Sequence, residues 1–465
     1  MQAGTVYIYP RKCYNAKKAQ RKVIYLHRLI ALILALALFL PAGYAQDKYT
    51  AFPEALRMTQ KREKTTLTET SYVMTYYPKT ISKDVDNALK SAIDALVADN
   101  MPHLPRKAAL KNESAMLDTG ATVYRTGDKW ASFLIVSTVL NGASQLRMTF
   151  DTCVYDMHSG KALTLSDVLV PDALSLVQQE AQSQLNAYFP QFEADADVLS
   201  ALCAQENLLS AHFTLSPAFL QLHFPSEALY PHSGTIMHVR IPYTQLQQYL
   251  TDEAKLQTDN SRYKLVALTY DDGPTRRRTL SILRSLRGGG VNATFFVVGD
   301  RIPGAEDLIS LEHNAGFAVA SHNYEHVYTA DMEGKVRMYR DMLNEKLHAI
   351  TGRSVNMMRA PGGHEEIYIK EQVDLPLIHW SLASKDGKSA DFEPSGEAVR
   401  LVYSMQDGSI VLMHDLRAIS ADYTAFLPQL LNDRGFMCVT VEELFALRGI
   451  PLENNTVYLN APPVP

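Results

Sequence analysis

The second half of this 465-residue chain holds five polar clusters whose residue types can do hydrolytic chemistry. They are Asp271-Asp272-Gly273-Pro274, His322-Asn323-Tyr324-Glu325-His326, Arg359-Ala360-Pro361-Gly362-Gly363, Asp386, and His414-Asp415. Each has an ordinary reading when taken singly. Asp, Gly and Pro in series favour a turn. Two histidines four apart share a helix face or a tight loop. Arg359 can be a loop arginine, and His414 a hydrogen-bonded core histidine. Together they describe a reaction centre. Two imidazoles and one carboxylate make a three-ligand metal site with a coordination position left open, the catalytic rather than the structural pattern. The spare carboxylate, Asp271, can then act as a base, a separate histidine as an acid, and an arginine can hold the base ionised.

Each cluster sits at the end of a short apolar run. LVALTY precedes the paired aspartates, GFAVAS the two histidines, VNMM the arginine, HWSL Asp386, and SIVLM His414. With ATFFVV and FMCVTV, seven such runs alternate with helical stretches such as 279–286 and 334–351. Apolar strands alternating with helices predict a parallel sheet buried on both faces. Seven runs suit a barrel or partial barrel, which carries its chemistry at the C-terminal ends of its strands.

Residues 46–255 read differently. Strands are expected at 71–77, 130–140 and 145–155, with Asn141-Gly142 as a turn between the last two. Two more strands are expected within 211–224, around a turn at 215–217. One helix is expected at 83–100, and a capped helical pattern begins at Ser166. This half is α+β with a largely antiparallel sheet. Residues 251–262 (TDEAKLQTDNSR) read as a polar linker, and 47–70 as a linker or entry strand.

The first 46 residues carry seven Lys or Arg and no acid, then the apolar run 29–40 and the small-residue exit PAGYA. These are the parts of a secretory signal cleaved after Ala45, with an uncleaved membrane anchor as the alternative. Either way the bulk of the protein is expected outside the cytoplasm, secreted or envelope-associated, with any membrane contact confined to this segment. Without those seven cations the formal charge moves from −5 to −12. An acidic protein lacks the clustered cations that nucleic acid requires, so no nucleic-acid partner is expected. Beyond Cys13, the cysteines are Cys153, Cys203 and Cys438. Cys153 and Cys203 can pair in an exported protein, or all three can be small buried hydrophobes.

The series TYDDGP, HxxxH, RAPGG, WSLxxxD and LMH, in that order over about residues 262–450, resembles the NodB-homology polysaccharide deacetylases, carbohydrate esterase family 4. VNATFFVVGDR, after the first motif, resembles the family too. The resemblance implies a distorted (β/α) barrel of the NodB-homology type, preceded by a smaller α+β domain. The expected domains are the leader at 1–45, an accessory domain at 46–255, the deacetylase domain at 262–450 and a tail at 451–465. The phrases GKALTLSDVL, FTLSPAFLQLHF and GTIMHVRIPYTQLQQYL resemble the α+β domain that often precedes this domain in Gram-positive wall enzymes.

The roles the resemblance implies are these. Asp271 is the general base, paired with Arg359. Asp272, His322 and His326 hold a divalent metal, zinc first, with cobalt, nickel or manganese fitting the same ligands. The N–H of Gly362 helps form the oxyanion site. Asp386 tunes His414, the general acid, and Leu412 lines the acetyl pocket. The implied activity is removal of acetyl groups from N-acetyl sugars of an extracellular polysaccharide, peptidoglycan first. Esterase action on O-acetylated polysaccharide and a non-catalytic wall-binding protein on the same scaffold are the alternatives.

Four positions depart from the family pattern. Tyr270 replaces Phe, and Asn323 stands where Ser or Thr is usual. In place of the fourth motif, D-x-x-D-W, the chain has Ala383-Ser384-Lys385-Asp386-Gly387, which lacks the first Asp and the Trp. His364 and His379 lie near the motifs but match no family role.

Overall fold

The computed structural model describes residues 53–463, except 112, 190–191, 193, 231–233, 261, 328–331 and 388–392. The leader therefore lies outside the described residues. Among the described residues no helix is long and apolar enough to cross a membrane.

The N-terminal half begins with a five-stranded sheet of β1 (Thr59–Thr66), β2 (Ser71–Lys79), β3 (Ala115–Thr126), β4 (Trp130–Asn141) and β5 (Ser144–Asp156), in that spatial order. It is antiparallel except where β2 runs parallel to β3. Such a crossover needs a connection long enough to reverse direction, and α1 (Lys83–Asn100) supplies it. Ser82 caps α1 by accepting from the Val85 N–H. The helix buries Val85, Leu89 and Ile93, one every four residues, in the same apolar cluster as Val123, Phe133 and Ile135 of the sheet. A second, antiparallel sheet joins β6 (His212–Leu215), β7 (Phe219–Pro225) and β8 (Ile236–Pro242).

Two sequence expectations are corrected here. The helical pattern from Ser166 is two helices, a four-residue turn at Leu165–Val168 and then α2 (Leu174–Asn186). Pro171 lies between them, with no N–H to continue the first. The expected linker at 251–262 contains a helix, α3 (Asp252–Thr258), capped by Thr251. Its polar side chains bond inward. Gln257 Oε1 accepts from the Asp128 N–H at 3.0 Å and Asn260 Oδ1 from the Gly127 N–H at 2.9 Å, so both hold the β3–β4 turn.

The C-terminal half is a ring of parallel strands centred on β9 (Lys264–Asp271), which is flanked by β10 (Ala293–Val297) and β14 (Ser409–His414). β11 (Ala318–Ser321) extends the ring beyond β10, and β15 (Phe436–Val439) pairs with the start of β9. The run VNMMR is not a strand. Only Met358 bridges, to Ser321 on one side and Leu377 on the other, because Pro361 follows and cannot extend a ladder. The run LIHWSL breaks into β12 (Leu377–Ile378) and β13 (Leu382–Ala383). The Ile378 N–H donates to Met358 O at 2.8 Å, and the Ser381 N–H to Ile410 O at 3.0 Å. One short segment thus changes partner and closes the ring as a distorted barrel. The C-terminal residues return to it through β16 (Val457–Tyr458), which pairs with β12.

Side chains along β9 alternate as a strand requires. Val266, Leu268 and Tyr270 pack outward under α4 (Arg276–Leu286) and α5 (Glu306–Asn314), with Ile282, Leu283, Leu308 and Ile309. Leu265 and Ala267 pack inward with Phe296, Ala320, Ile378 and Ile410.

A buried ionic seam ties the first sheet to α4. Asp118 of β3 is 1% exposed and accepts from Arg284 at 2.7 Å and from Arg287 at 2.9 Å. Asp118→Ala strands two buried guanidinium groups, and breaking such a set costs about 3–5 kcal/mol. We expect a loss of that size in the unfolding free energy, read from denaturant midpoints at unchanged slope. Cys153, Cys203 and Cys438 are free thiols, so the pairing of Cys153 with Cys203 is not formed.

Candidate metal and catalytic centre

The site is the inward face of the ring carried past its C-terminal ends. On β9 the inward positions continue from Leu265 and Ala267 to Thr269 and Asp271. On β14 they run from Ile410 through Leu412 to His414, and beyond β11 from Ala320 to His322. Register places Asp271 directly opposite His414 on one side and Phe296 on the other. The base and acid candidates therefore share one rung of the barrel mouth.

Strict alternation would turn Asp272 outward. Its backbone instead adopts φ 77°, a left-handed conformation that Asp tolerates better than most residues. This brings the second carboxylate to the same mouth. Asn323 repeats the device at φ 68°, and its Nδ2 donates to Glu325 O at 2.8 Å, folding the loop so that His326 returns beside His322. The unusual Asn at this position thus performs a turn role.

Asp272, His322 and His326 present ligand atoms all within 4.8 Å of one another, and they are the one such group among the described residues. His326 Nε2 lies 3.0 Å and His322 Nε2 3.5 Å from Asp272 Oδ1. That oxygen is buried and has no hydrogen-bond donor among the described residues. His322 Nδ1 lies 2.9 Å from Arg359 O and can only donate to it, which fixes the tautomer and leaves the Nε2 lone pair facing the carboxylate. Burial raises the Asp272 pKa, but the two imidazoles outweigh it and hold the group well below the ordinary carboxylate range. A buried carboxylate oxygen met by two imidazole nitrogens fits a divalent cation.

Asp271 is held from the opposite side. Arg359 is fully buried and donates from Nη1 to Asp271 Oδ1 at 2.7 Å. Its other donors reach Thr269 Oγ1 at 2.6 Å, Ile378 O at 2.8 Å and His379 O at 3.1 Å, and the guanidinium lies 4.3 Å from the centre of the Phe296 ring. With Oδ1 occupied, Oδ2 is the free oxygen. It lies 3.9 Å from His322 Nε2, facing the triad.

His414 is oriented by Asp386. Asp386 Oδ1 accepts from His414 Nδ1 at 2.9 Å, and Oδ2 accepts from the His414 N–H at 2.8 Å and from Ser420 Oγ at 2.5 Å. Nε2 remains as the atom offered to a substrate. Burial works against the imidazolium, but the hydrogen bond and charge of Asp386, with Asp271 and Asp272 beyond, outweigh it and raise the His414 pKa. A general acid acts while protonated, below its pKa. Asp386→Asn removes the stabilising charge and lowers that pKa. We therefore expect the alkaline limb of kcat/KM against pH to move to lower pH, while the metal content stays unchanged.

Gly362 lies three residues beyond Arg359, exposed, at φ 66°. Leu412 is 7% exposed and lies on the inward stripe two residues before His414. At Gly387, where the family pattern has Trp, an added Cβ would meet nothing within 4 Å among the described residues. His379, unassigned from sequence, stacks on Trp380 with centroids 3.9 Å apart and bonds Glu365 at 2.6 Å. His364 faces Glu366 at 3.3 Å.

Two supporting residues were given no role from sequence. Arg301, of the GDR phrase, donates to Asp272 O. Asp415 is fully buried, its N–H donates to Asp271 O at 3.1 Å, and its carbonyl accepts from Thr275 Oγ1 at 2.9 Å. Burial, with Asp272 and Asp271 nearby, raises its pKa to about 7. Its Oδ2 lies only 2.0 Å from where a Cβ of Gly273 would be, so glycine is required in that turn. A long-range packing partner of this kind leaves no local signal beyond the His-Asp pair itself.

The family model for polysaccharide deacetylases matches residues 258–375. The chain is 25% identical over 390 residues to the peptidoglycan-N-acetylglucosamine deacetylase PgdA of Listeria monocytogenes serotype 1/2a (strain 10403S), covering 80% of this chain and 82% of that protein. It is 31% identical over 202 residues to a bifunctional xylanase/deacetylase of Pseudobutyrivibrio xylanivorans, covering 42% of this chain and 32% of that protein. The solved structure of peptidoglycan deacetylase PdaC from Bacillus subtilis is 26% identical, with a TM-score of 0.38, over 41% of this chain and 94% of that one. The chain therefore contains a polysaccharide deacetylase domain, similar to those of the peptidoglycan deacetylases of carbohydrate esterase family 4.

Proposed function

We propose that this protein hydrolyses the acetamido groups of N-acetyl sugars in peptidoglycan, outside the cytoplasm, with a divalent cation held by Asp272, His322 and His326. The observation that carries the reading is the pairing of Asp271 with His414 across one rung, beside that triad. The bound cation, zinc by preference, supplies a Lewis acid and lowers the pKa of water toward neutrality. Asp271 Oδ2 takes the proton of the attacking water, while Arg359 holds Oδ1 from the other side. The N–H of Gly362 donates to the oxygen as negative charge develops there. His414 Nε2 passes its proton to the leaving nitrogen while Asp386 holds Nδ1. Leu412 packs beside the acetyl methyl group. The products are acetate and a free amino sugar.

Support for the substrate comes from relatives named as peptidoglycan deacetylases, and support for the location comes from the basic, then apolar, leader. The test is to incubate the full chain with purified peptidoglycan and count both products. Acetate matched one-for-one by new primary amines is the expected result. Acetate without new amines would move the activity to O-acetyl esters. Neither product, from a metal-loaded protein, would overturn the substrate.

A further inference from the structure

Away from the barrel mouth, a cleft of about 320 Å³ lies between the edge strand β1 and α4. Arg62, Arg277, Arg284, Tyr76, Ser281 and Ser285 line it, and no acidic residue does. The arrangement follows from two periodicities. On β1, Gln60, Arg62 and Lys64 share the face that looks toward α4. On α4, Arg277, Ser281, Arg284 and Ser285 form one stripe at helical spacing. Arg62 and Arg277 have no acidic partner among the described residues. Arg284 directs Nε and Nη2 to Asp118, which leaves Nη1 without a hydrogen bond among the described residues. Tyr76 is only 2% exposed, yet its hydroxyl has no hydrogen-bond partner among the described residues. Lys64 continues the basic face, 4.4 Å from the centre of the Tyr72 ring.

A buried phenol with no partner lies beside three guanidinium groups. Of these, Arg284 is paired with Asp118 behind the cleft, while Arg62 and Arg277 are left without a carboxylate among the described residues. Gln60 Oε1, unpartnered among the described residues, is the acceptor that faces them. The two unpaired cations, Arg62 and Arg277, repel one another across the cleft unless an anion joins them. Guanidinium groups match the planar or tetrahedral oxygens of carboxylate and phosphate. We infer that this cleft binds an oxyanion, a phosphate or carboxylate group carried by a glycopolymer. The glycopolymer rests on the substrate reading above, and the oxyanion site does not. Arg277 lies in the first turn of α4, just beyond the Asp-Asp-Gly-Pro turn. An anion held here would anchor a strand on the flank of the barrel while another part of it enters the mouth.

The test is calorimetric titration of the full chain with inorganic phosphate at low ionic strength, with chelator present so that the Asp272 site takes no part. Saturable binding is expected, weakening as salt is added. R62Q/R277Q should weaken it about tenfold or more, and Y76F severalfold with no change in charge. The charge-matched K61Q/K83Q, whose residues lie outside the cleft, should bind like the parent. No saturable binding, or equal loss in K61Q/K83Q, would overturn the site. Cosedimentation then identifies the source, with phosphate-free peptidoglycan presenting peptide carboxylates and a phosphodiester wall polymer presenting phosphates. Retention of either by the parent but not by R62Q/R277Q supports the inference and names the anion. Retention of neither would overturn the glycopolymer.

Discussion

Asp271→Asn will lower the rate of acetate release by about 10²–10⁴-fold, the range that a positioned general base contributes. The substitution separates chemistry from structure. Asparagine keeps an oxygen that can accept from Arg359 Nη1, and Arg359 keeps Thr269 Oγ1 and the carbonyls of Ile378 and His379 as further acceptors. The buried guanidinium is therefore not left without partners, and the fold should persist. What is lost is an oxygen able to take a proton at the Oδ2 position. Initial rates with a thermal melt decide the matter. A variant that melts near the parent but is slower by the stated factor fits a base. A variant within tenfold of the parent rate removes Asp271 from that role.

Stripping the cation will have an effect of similar size. Loss of Lewis-acid stabilisation worth several kcal/mol corresponds to about 10³-fold or more in rate. Stability should fall as well, because a ligand bound only by the folded state contributes about 2.7 kcal/mol at a hundred times its Kd. Chelation should thus lower both activity and Tm, and readdition should restore both. His322→Ala should block the restoration, since it removes one of three ligands and the hydrogen bond to Arg359 O that orients it. Zinc, cobalt, nickel and manganese compared side by side would show which cation restores the highest rate. Binding strength alone will follow the general divalent order and cannot identify the native metal.

Much of the barrel is legible in the sequence because each strand is an apolar run that ends in a polar cluster. Burial on both faces writes itself into LVALTY and SIVLMH, and the position of a cluster relative to its run is a local fact. Other features are not local. The left-handed backbone at Asp272 decides whether the paired aspartates face the same way, and Asp-Asp-Gly-Pro is compatible with several turns. VNMMR has strand composition, yet a single residue of it bridges, because pairing is decided by Pro361 and by the partners on either side. The 251–262 segment looks like a linker because its side chains are polar, but those amides serve the β3–β4 turn, a contact that only the folded chain supplies. The role of Asp386 came from the resemblance. The two bonds of Asp386 to His414 orient the imidazole although the fourth motif is otherwise depleted.

The most direct measurement pairs two quantities on the same samples: bound divalent metal per chain, and acetate released from peptidoglycan, for the parent and Asp271→Asn. The account predicts about one metal per chain in both proteins, with acetate release present in the parent and lost from the variant. A parent that binds no metal, or a metal-loaded variant that releases acetate at the parent rate, would contradict it.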